Sequence, residues 1–158
     1  MRLRTETAED TRTLGSRVAT LLRAGDLVVL SGDLGAGKTT FTQGLGAALG
    51  VRGDVTSPTF VISRVHPSVV GGPALVHVDA YRLGGVAELD DLDLDTSLED
   101  AVTVVEWGSG VAEGLAENRL EIEILRPHGD AVDETEARSV RVAAVGPRWA
   151  DVDLDGLG

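Results

Sequence analysis

Short apolar runs separated by polar and glycine-rich segments predict a series of β-strands along the chain. Leu27 to Leu30 is an unbroken apolar run, as expected for a strand buried on both faces of a parallel sheet. We predict further strands over residues 61–65, 74–79, 101–106, 120–125 and 139–145, and an edge strand over residues 1–5. The segment 66–73 has prolines and glycines at its ends and predicts a hairpin-type loop.

Helical periodicity occurs on each side of the first buried strand. Before it, Thr7 with Asp10 three residues later resembles a capping box, and we predict a helix that ends near Gly25. The apolar stripe of this helix consists of Leu14, Val18, Leu21 and Leu22. After the strand, Gly50 is placed to end a second helix. The apolar positions of the second helix are Phe41, Leu45, Ala48 and Leu49.

A glycine-rich segment joins the first buried strand to the second helix. Residues 32–39 read Gly-Asp-Leu-Gly-Ala-Gly-Lys-Thr and match the phosphate-binding P-loop pattern G-x-x-x-x-G-K-[ST]. Lys38 is the only lysine of the chain, and the other thirteen cationic residues are arginine. A compact ammonium on a flexible stem suits a bound triphosphate, whereas the planar guanidinium fork would not fit in the same way. The sequence therefore predicts a nucleotide-binding site.

The residue types of the P-loop predict how it binds the nucleotide. Its glycines let the backbone bend until several N–H groups converge on the phosphates, and the helix N-terminus adds partial positive charge. Lys38 should reach the β- and γ-phosphates, and the Thr39 hydroxyl should bind Mg²⁺. Thr40 is an alternative Mg²⁺ ligand, although the pattern gives that role to the residue directly after the lysine. The predicted nucleotide-binding residues here are Gly32, Asp33, Leu34, Gly35, Ala36, Gly37, Lys38, Thr39 and Thr40.

Two strands outside the P-loop end in a carboxylate, Asp79 and Glu106. Ligands of open α/β sheets bind beyond the carboxyl ends of the strands, so both acids are candidates for binding Mg²⁺ and positioning water. Each acid could instead cap its strand or pair with an arginine. Lys38, Asp79 and Glu106 are the predicted catalytic residues, and the predicted metal ligands are Thr39, Asp79 and Glu106. His77 alternates with Asp79 along its strand, and either orders that acid or is structural.

Three further side chains have both a functional and a purely structural interpretation. Thr59 lies in a Ser-Pro-Thr turn, where a mobile loop could sense the γ-phosphate, but such a tripeptide is also an ordinary turn. Arg82 is a candidate for stabilising charge, or a partner for a nearby carboxylate. Trp107 belongs either to the core or to the edge of the site.

Composition limits the possible functions. With a net charge of −12 and dispersed arginines, the chain lacks the basic patch that independent binding to nucleic acid requires. It contains no cysteine, and its three histidines form no metal-ligand pattern. No apolar run approaches a membrane span and no signal sequence is visible, so we expect a cytoplasmic protein. The length of 158 residues predicts one domain over residues 1–150 and a flexible tail over 151–158.

Strands and helices alternate in the first half of the chain, and strands cluster in the second half. This order, together with the P-loop, predicts an α/β fold of the three-layer P-loop NTPase class. The central sheet should be mostly parallel, with some antiparallel strands.

Four blocks of sequence, taken in order, resemble the TsaE (YjeE) family, the bacterial ATPases of tRNA threonylcarbamoyladenosine biosynthesis. They are the P-loop, Thr56-Ser-Pro-Thr-Phe60, His77-Val-Asp-Ala-Tyr-Arg-Leu83 and Val105-Glu106-Trp107. Thr11-x-x-Leu14-Gly15 also looks like the opening helix of the family. The resemblance covers about residues 5–110, and four blocks in this order are far more specific than a P-loop alone.

The resemblance implies an ATPase that binds ATP and Mg²⁺ and hydrolyses ATP slowly unless partners engage it. The implied partners are TsaD, which transfers the threonylcarbamoyl group, and TsaB, its companion; tRNA would be reached only through them. Thr59 becomes a candidate switch residue and is added to the predicted nucleotide-binding residues. The family often has another glutamate soon after the tryptophan, but this chain has Gly108-Ser109. The role of that second glutamate is therefore either absent from this chain or taken by Glu113.

Other P-loop functions remain as alternatives. A small-molecule kinase shares the P-loop, but this chain shows no arginine-rich lid. A GTPase switch would need an Asn/Thr-Lys-x-Asp element with a second lysine, which the chain lacks. A nucleotide-binding scaffold without turnover is the remaining alternative.

Overall fold

A computed structural model of the protein describes residues 2–32, 37–51, 63–79, 101–106, 118–125 and 137–150, together with Val152, Leu154 and Leu157. The strands are β1 (Arg2–Thr5), β2 (Leu27–Gly32), β3 (Ser63–His66), β4 (Ala74–Asp79), β5 (Ala101–Glu106), β6 (Arg119–Leu125) and β7 (Arg138–Val145). The helices are α1 (Ala8–Ala19), α2 (Lys38–Leu49) and a 3₁₀ turn (Pro147–Trp149). Within these described stretches, no helix has the length and apolar character needed to cross a membrane.

All the named strands belong to one sheet with the order β1-β7-β6-β2-β5-β4-β3. The P-loop strand β2 lies in the middle and pairs in parallel with β5 and β6, and β4 pairs in parallel with β5. Antiparallel pairing joins β7 to β6 and β1, and β3 to β4. Only β3 and β7 run against the common direction, so five of the seven named strands point the same way. The expected mixed, mostly parallel sheet is confirmed.

Both faces of the central strands are buried. One face packs against α1 and α2 through Val28, Leu30, Leu75, Val102, Val104, Leu120, Ile122 and Ile124. Residues that alternate with these are buried as well: Leu27, Val29, Val76, Val78, Thr103 and Val105. Because successive strand residues point to opposite faces, the sheet is covered on both sides, as a three-layer fold requires.

The two helices lie unusually close together because each contributes a glycine at the crossing. A Cβ atom on Gly44 would lie 1.9 Å from the Arg12 carbonyl oxygen, and one on Gly15 would lie 2.1 Å from the Phe41 carbonyl oxygen. Ser16 Oγ also donates a 3.1 Å hydrogen bond to the carbonyl oxygen of Gly44. Helix α1 is therefore held directly against the helix that follows the P-loop.

The predicted strands agree with the observed ones, and two helical details do not. The strand predicted over 61–65 is observed as β3, with residues 61 and 62 outside the described residues, and the hairpin to β4 is confirmed. Helix α1 ends at Ala19 rather than near Gly25, since the amides of Leu21 and Leu22 bond to carbonyls three residues back. Ala48 is exposed instead of belonging to the buried stripe of α2.

The C-terminal segment packs against the core at each position that is described. Trp149 and Leu157 are buried, and Val152 and Leu154 pack against the same cluster. Arg17 Nη1 donates a 3.3 Å hydrogen bond to the Leu157 carbonyl oxygen. These contacts are at odds with a loosely held tail at those positions, while the division into residues 1–150 and 151–158 stays a prediction.

Candidate nucleotide-binding site

The carboxyl ends of three parallel strands meet at the edge of the sheet where the P-loop begins. Leu30 of β2 pairs with Glu106 of β5, and Glu106 pairs in turn with Asp79, the last residue of β4. Strand β2 continues for two more residues to Gly32, the first glycine of the motif. The backbone of both predicted acids is thus brought to the same edge as the P-loop, as the strand patterns predicted.

Helix α2 begins without a side-chain cap. Its N-cap residue is Gly37, and no acidic residue lies in its first turn. Helix α1 is capped normally: the amide of Asp10 donates a 3.0 Å hydrogen bond to Thr7 Oγ1, and Glu9 and Asp10 lie in the first turn. Helix α2 therefore lacks a side-chain cap at its N-cap residue, and its first-turn N–H groups together with the helix dipole form a site suited to an anion.

Lys38 bridges the two ends of the P-loop. Its side chain is buried, with 6% exposure, and Nζ donates a 2.9 Å hydrogen bond to the Gly32 carbonyl oxygen. The first residue of α2 is therefore tied to the last residue of β2. A phosphate oxygen is a stronger acceptor for an ammonium than a neutral carbonyl, so this arrangement suits exchange of the carbonyl for a phosphate.

Glu106 lies against His77 in the buried layer beneath this edge. His77 is fully buried and Glu106 is 3% exposed; His77 Nε2 lies 3.2 Å from Glu106 Oε1. The two atoms are close, but their angles do not make a hydrogen bond, and across the described parts of the chain neither atom has another hydrogen-bond partner. The sequence allowed two roles for His77, either ordering Asp79 or serving as a structural residue. It did not predict the contact with Glu106. The side chain of Asp79 is outside the described residues.

These groups fit a bound nucleotide. Gly37 has a φ of +107°, a left-handed conformation in which any side chain would be strained. A Cβ atom there would lie 3.7 Å from Thr11 Cγ2, so α1 lies beside Gly37. The ammonium of Lys38 and the uncapped helix supply donors for phosphates, and Glu106 supplies a buried carboxylate oxygen without a hydrogen-bond partner in the described stretches.

Magnesium would depend on the nucleotide for much of its coordination. Thr39 and Thr40, the two candidate hydroxyl ligands, are both half-buried in the first turn of α2. Wherever side chains are described, no group of three or more His, Asp or Glu residues is arranged to hold a metal. Mg²⁺ commonly binds through one or two protein oxygens plus substrate phosphates and water, which is consistent with this arrangement.

Several predicted residues lie outside the described residues. They are Asp33, Leu34, Gly35, Ala36, Thr59, Arg82, Trp107 and Glu113. One neighbour of the P-loop was not predicted: Thr11, whose hydroxyl lies 2.8 Å from that of Thr5 in the buried layer beside Gly37. The Thr11-x-x-Leu14-Gly15 pattern marked its helix, but a helix pattern alone does not tell which loop the helix contacts.

A known protein family matches most of this chain. The sequence model of the family described as threonylcarbamoyl adenosine biosynthesis protein TsaE matches residues 5–135. The chain belongs to the TsaE family. It is 64% identical over 147 residues to the TsaE protein of Streptomyces coelicolor, covering 92% of this chain and 98% of that protein. It is 37% identical to the TsaE protein of Bacillus subtilis, covering 94% of this chain and 89% of the relative.

A solved structure has the same architecture. The crystal structure of YdiB from Bacillus subtilis matches with a TM-score of 0.72 and 34% sequence identity, over 94% of this chain and 88% of that one. The expected P-loop fold and the resemblance to the TsaE family are both confirmed. The family is one of tRNA threonylcarbamoyladenosine biosynthesis.

Proposed function

We propose that this TsaE-family protein binds ATP with Mg²⁺, hydrolyses ATP slowly alone, and supports threonylcarbamoyl transfer to tRNA adenosine by acting on a TsaD–TsaB complex. The observation that carries the proposal is the position of Lys38. Its ammonium lies 2.9 Å from the Gly32 carbonyl oxygen, beside an α2 N-terminus that has no side-chain cap. A cation and the first-turn N–H donors of α2 converge where a triphosphate would bind.

Phosphate binding would replace the internal contact of Lys38. The ammonium exchanges the Gly32 carbonyl for β- and γ-phosphate oxygens, while first-turn amides of α2 donate to the same phosphates. The bound Mg²⁺ would neutralise developing charge, and Thr39 is the hydroxyl proposed to hold it. The left-handed backbone of Gly37, which carries no side chain, lets the loop approach the phosphates closely.

Hydrolysis needs a positioned water molecule and nearby carboxylates. Water attacks the γ-phosphorus, the bond from the γ-phosphorus to the β–γ bridging oxygen breaks, and ADP leaves with the electron pair. Glu106 and Asp79, paired in register at the strand ends, are the carboxylates proposed to orient that water and hold Mg²⁺. Lys38 stabilises charge on the transferred group.

The partner assignment follows from charge as well as family. A protein with a net charge of −12 and dispersed arginines is poorly suited to bind the phosphates of tRNA directly. The tRNA would therefore be held by the partner complex. We accordingly place the protein in the cytoplasm, where tRNA is modified.

Phosphate release from Mg-ATP, measured with and without the TsaB–TsaD pair, tests the proposal. We expect slow release by the protein alone, faster release with the pair, and loss of release in Lys38→Ala. Arg141→Ala is the matched control, because it removes an exposed cation on β7 and should leave the rate unchanged. A pair that neither binds nor alters the rate contradicts the partner assignment. Phosphate transfer to a small hydroxyl compound would favour a kinase.

A further inference from the structure

We infer that His77 is the positioning residue for Glu106, fixing the orientation of that carboxylate for the ATPase reaction. This inference rests on the proposed function and deepens it by adding a residue to the same site. The observation behind it is the 3.2 Å approach of His77 Nε2 to Glu106 Oε1, with both side chains buried.

Strand register explains why these two side chains meet. His77 pairs with Val104 on the neighbouring strand, and Glu106 is the next residue of β5 on the same face. The imidazole therefore lies one step below the carboxylate, diagonally across two parallel strands. Asp79 pairs directly with Glu106, so the histidine and both predicted acids are adjacent in the sheet.

The surroundings of His77 make a purely structural role a poor explanation. On this face, Leu75 two positions earlier on its own strand and Val104 opposite it on β5 are aliphatic and buried, and its register partner on β3 is Arg64. Neither ring nitrogen of His77 has a hydrogen-bond partner among the described residues. Burying an imidazole in this way carries a desolvation cost that a leucine would avoid. Within the described structure, the Glu106 carboxylate is the group that explains a polar side chain here.

The action of His77 follows from the planarity of a carboxylate. A small rotation of either side chain brings the Nε2–H into line with Oε1, which then accepts a hydrogen bond. Once that oxygen is fixed, the second oxygen can occupy only a narrow range of positions at the strand ends. Side chains that orient active-site ligands in this way typically change metal affinity or activity by about 10–100-fold when they are replaced.

The first test compares His77→Leu and His77→Gln with the wild-type protein, because glutamine keeps an N–H donor near the position of Nε2. We expect His77→Leu to lower kcat for ATP about 10–100-fold. KM for ATP should stay within about threefold, because Lys38 and the α2 N-terminus are untouched. The thermal midpoint should not fall, since leucine suits the aliphatic layer, and His77→Gln should recover most of the lost kcat.

His66→Leu is the matched control, because His66 is a second buried histidine of the same sheet. It pairs with Leu75, four residues down β4 from Asp79, or about 13 Å along the strand. We expect its kcat to stay within about threefold of wild type. An unchanged kcat in folded His77→Leu overturns the inference, and so does an equal loss in the leucine and glutamine variants.

A second test separates failure of the inference from failure of the proposed function. A double-mutant cycle of His77→Leu and Glu106→Gln, measured by urea unfolding without nucleotide, gives the coupling between the two side chains. We expect non-additive effects on stability. Additive effects overturn the inference whatever the ATPase assay gives, whereas absence of Lys38-dependent phosphate release by the wild-type protein overturns the proposed function alone.

Discussion

The ammonium of Lys38 donates a 2.9 Å hydrogen bond to the carbonyl oxygen of Gly32 and so ties the start of α2 to the end of β2. The two residues flank the glycine-rich loop, so this single contact closes the loop at its base. Because the side chain is almost fully buried, its charge depends on acceptors inside the site rather than on water. The identity of this cation should therefore matter as much as its charge.

Lys38→Arg tests that expectation. Arginine keeps the charge but replaces a compact ammonium by a larger planar fork in a buried position. We expect phosphate release from Mg-ATP to fall about 100-fold, close to the loss expected for Lys38→Ala. The measurement is steady-state phosphate release at saturating ATP, with circular dichroism to verify folding. A Lys38→Arg protein that keeps a third or more of the wild-type rate would show that charge alone suffices.

Adjacent threonines at the start of α2 allow a paired test of the Mg²⁺ ligand. Thr39 follows the lysine directly, and Thr40 is the next residue; both are half-buried. We expect Thr39→Ala to raise the Mg²⁺ concentration needed for half-maximal turnover about tenfold, while Thr40→Ala shifts it less than threefold. Titration of Mg²⁺ at fixed ATP measures both values, and a larger shift in Thr40→Ala would reverse the assignment.

Local patterns in the sequence predicted most of the fold and the strand and helix ends at which the candidate site residues lie. The apolar runs gave the strands to within a residue or two, because a strand buried on both faces needs consecutive apolar side chains. The P-loop spacing fixed the position of Lys38, and Gly50 ends α2 with a φ of +73°. These features depend on residues that are close together in the sequence, so they can be predicted from a single sequence.

Features that depend on distant residues could not be predicted. His77 alternates with Asp79, which suggested that it orders that acid, but the register between β4 and β5 sets its contact with Glu106. Leu21 and Leu22 extend the apolar stripe of α1 and still pack against the core, although the helix has already ended. The burial of Leu157 likewise depends on its segment packing against the distant hydrophobic core, not on the residues next to it in sequence.

The close crossing of α1 and α2 predicts a strong effect of small substitutions. A methyl group on Gly44 would collide with the backbone of Arg12, which cannot move aside as a flexible side chain would. We expect Gly44→Ala to lower the free energy of unfolding by about 2–3 kcal/mol, as overpacking does. Gly72→Ala is the control, because its nearest neighbour would lie at an ordinary 3.7 Å and the change should be about 0.5 kcal/mol or less. Equal urea midpoints for the two variants would contradict the close crossing.

Asp26 and Arg148 form a buried ion pair that should contribute far more than an exposed one. Arg148 Nε and Nη2 each lie 3.1 Å from a different carboxylate oxygen of Asp26, with side-chain exposures of 14% and 6%. Asp26→Ala leaves a guanidinium largely out of water, and we expect a loss of about 3 kcal/mol in unfolding free energy. Arg4 and Glu6 are closer, at 2.8 Å, but 69% and 64% exposed, and Arg4→Ala should cost about 0.5 kcal/mol. If urea unfolding gives similar losses for both, burial does not decide the strength of these pairs.

Leu157 tests whether the end of the chain is part of the core. Its side chain is 4% exposed and lies in the main hydrophobic cluster, and its carbonyl accepts a hydrogen bond from Arg17 Nη1. Leu157→Ala should therefore lower the free energy of unfolding by about 2–3 kcal/mol, whereas a residue in a flexible tail would tolerate the change. Val69→Ala is the control, since Val69 is 61% exposed and its truncation should change stability by about 0.5 kcal/mol or less. A Leu157→Ala protein with the same urea midpoint as Val69→Ala would mean that the segment packs too loosely to stabilise the fold.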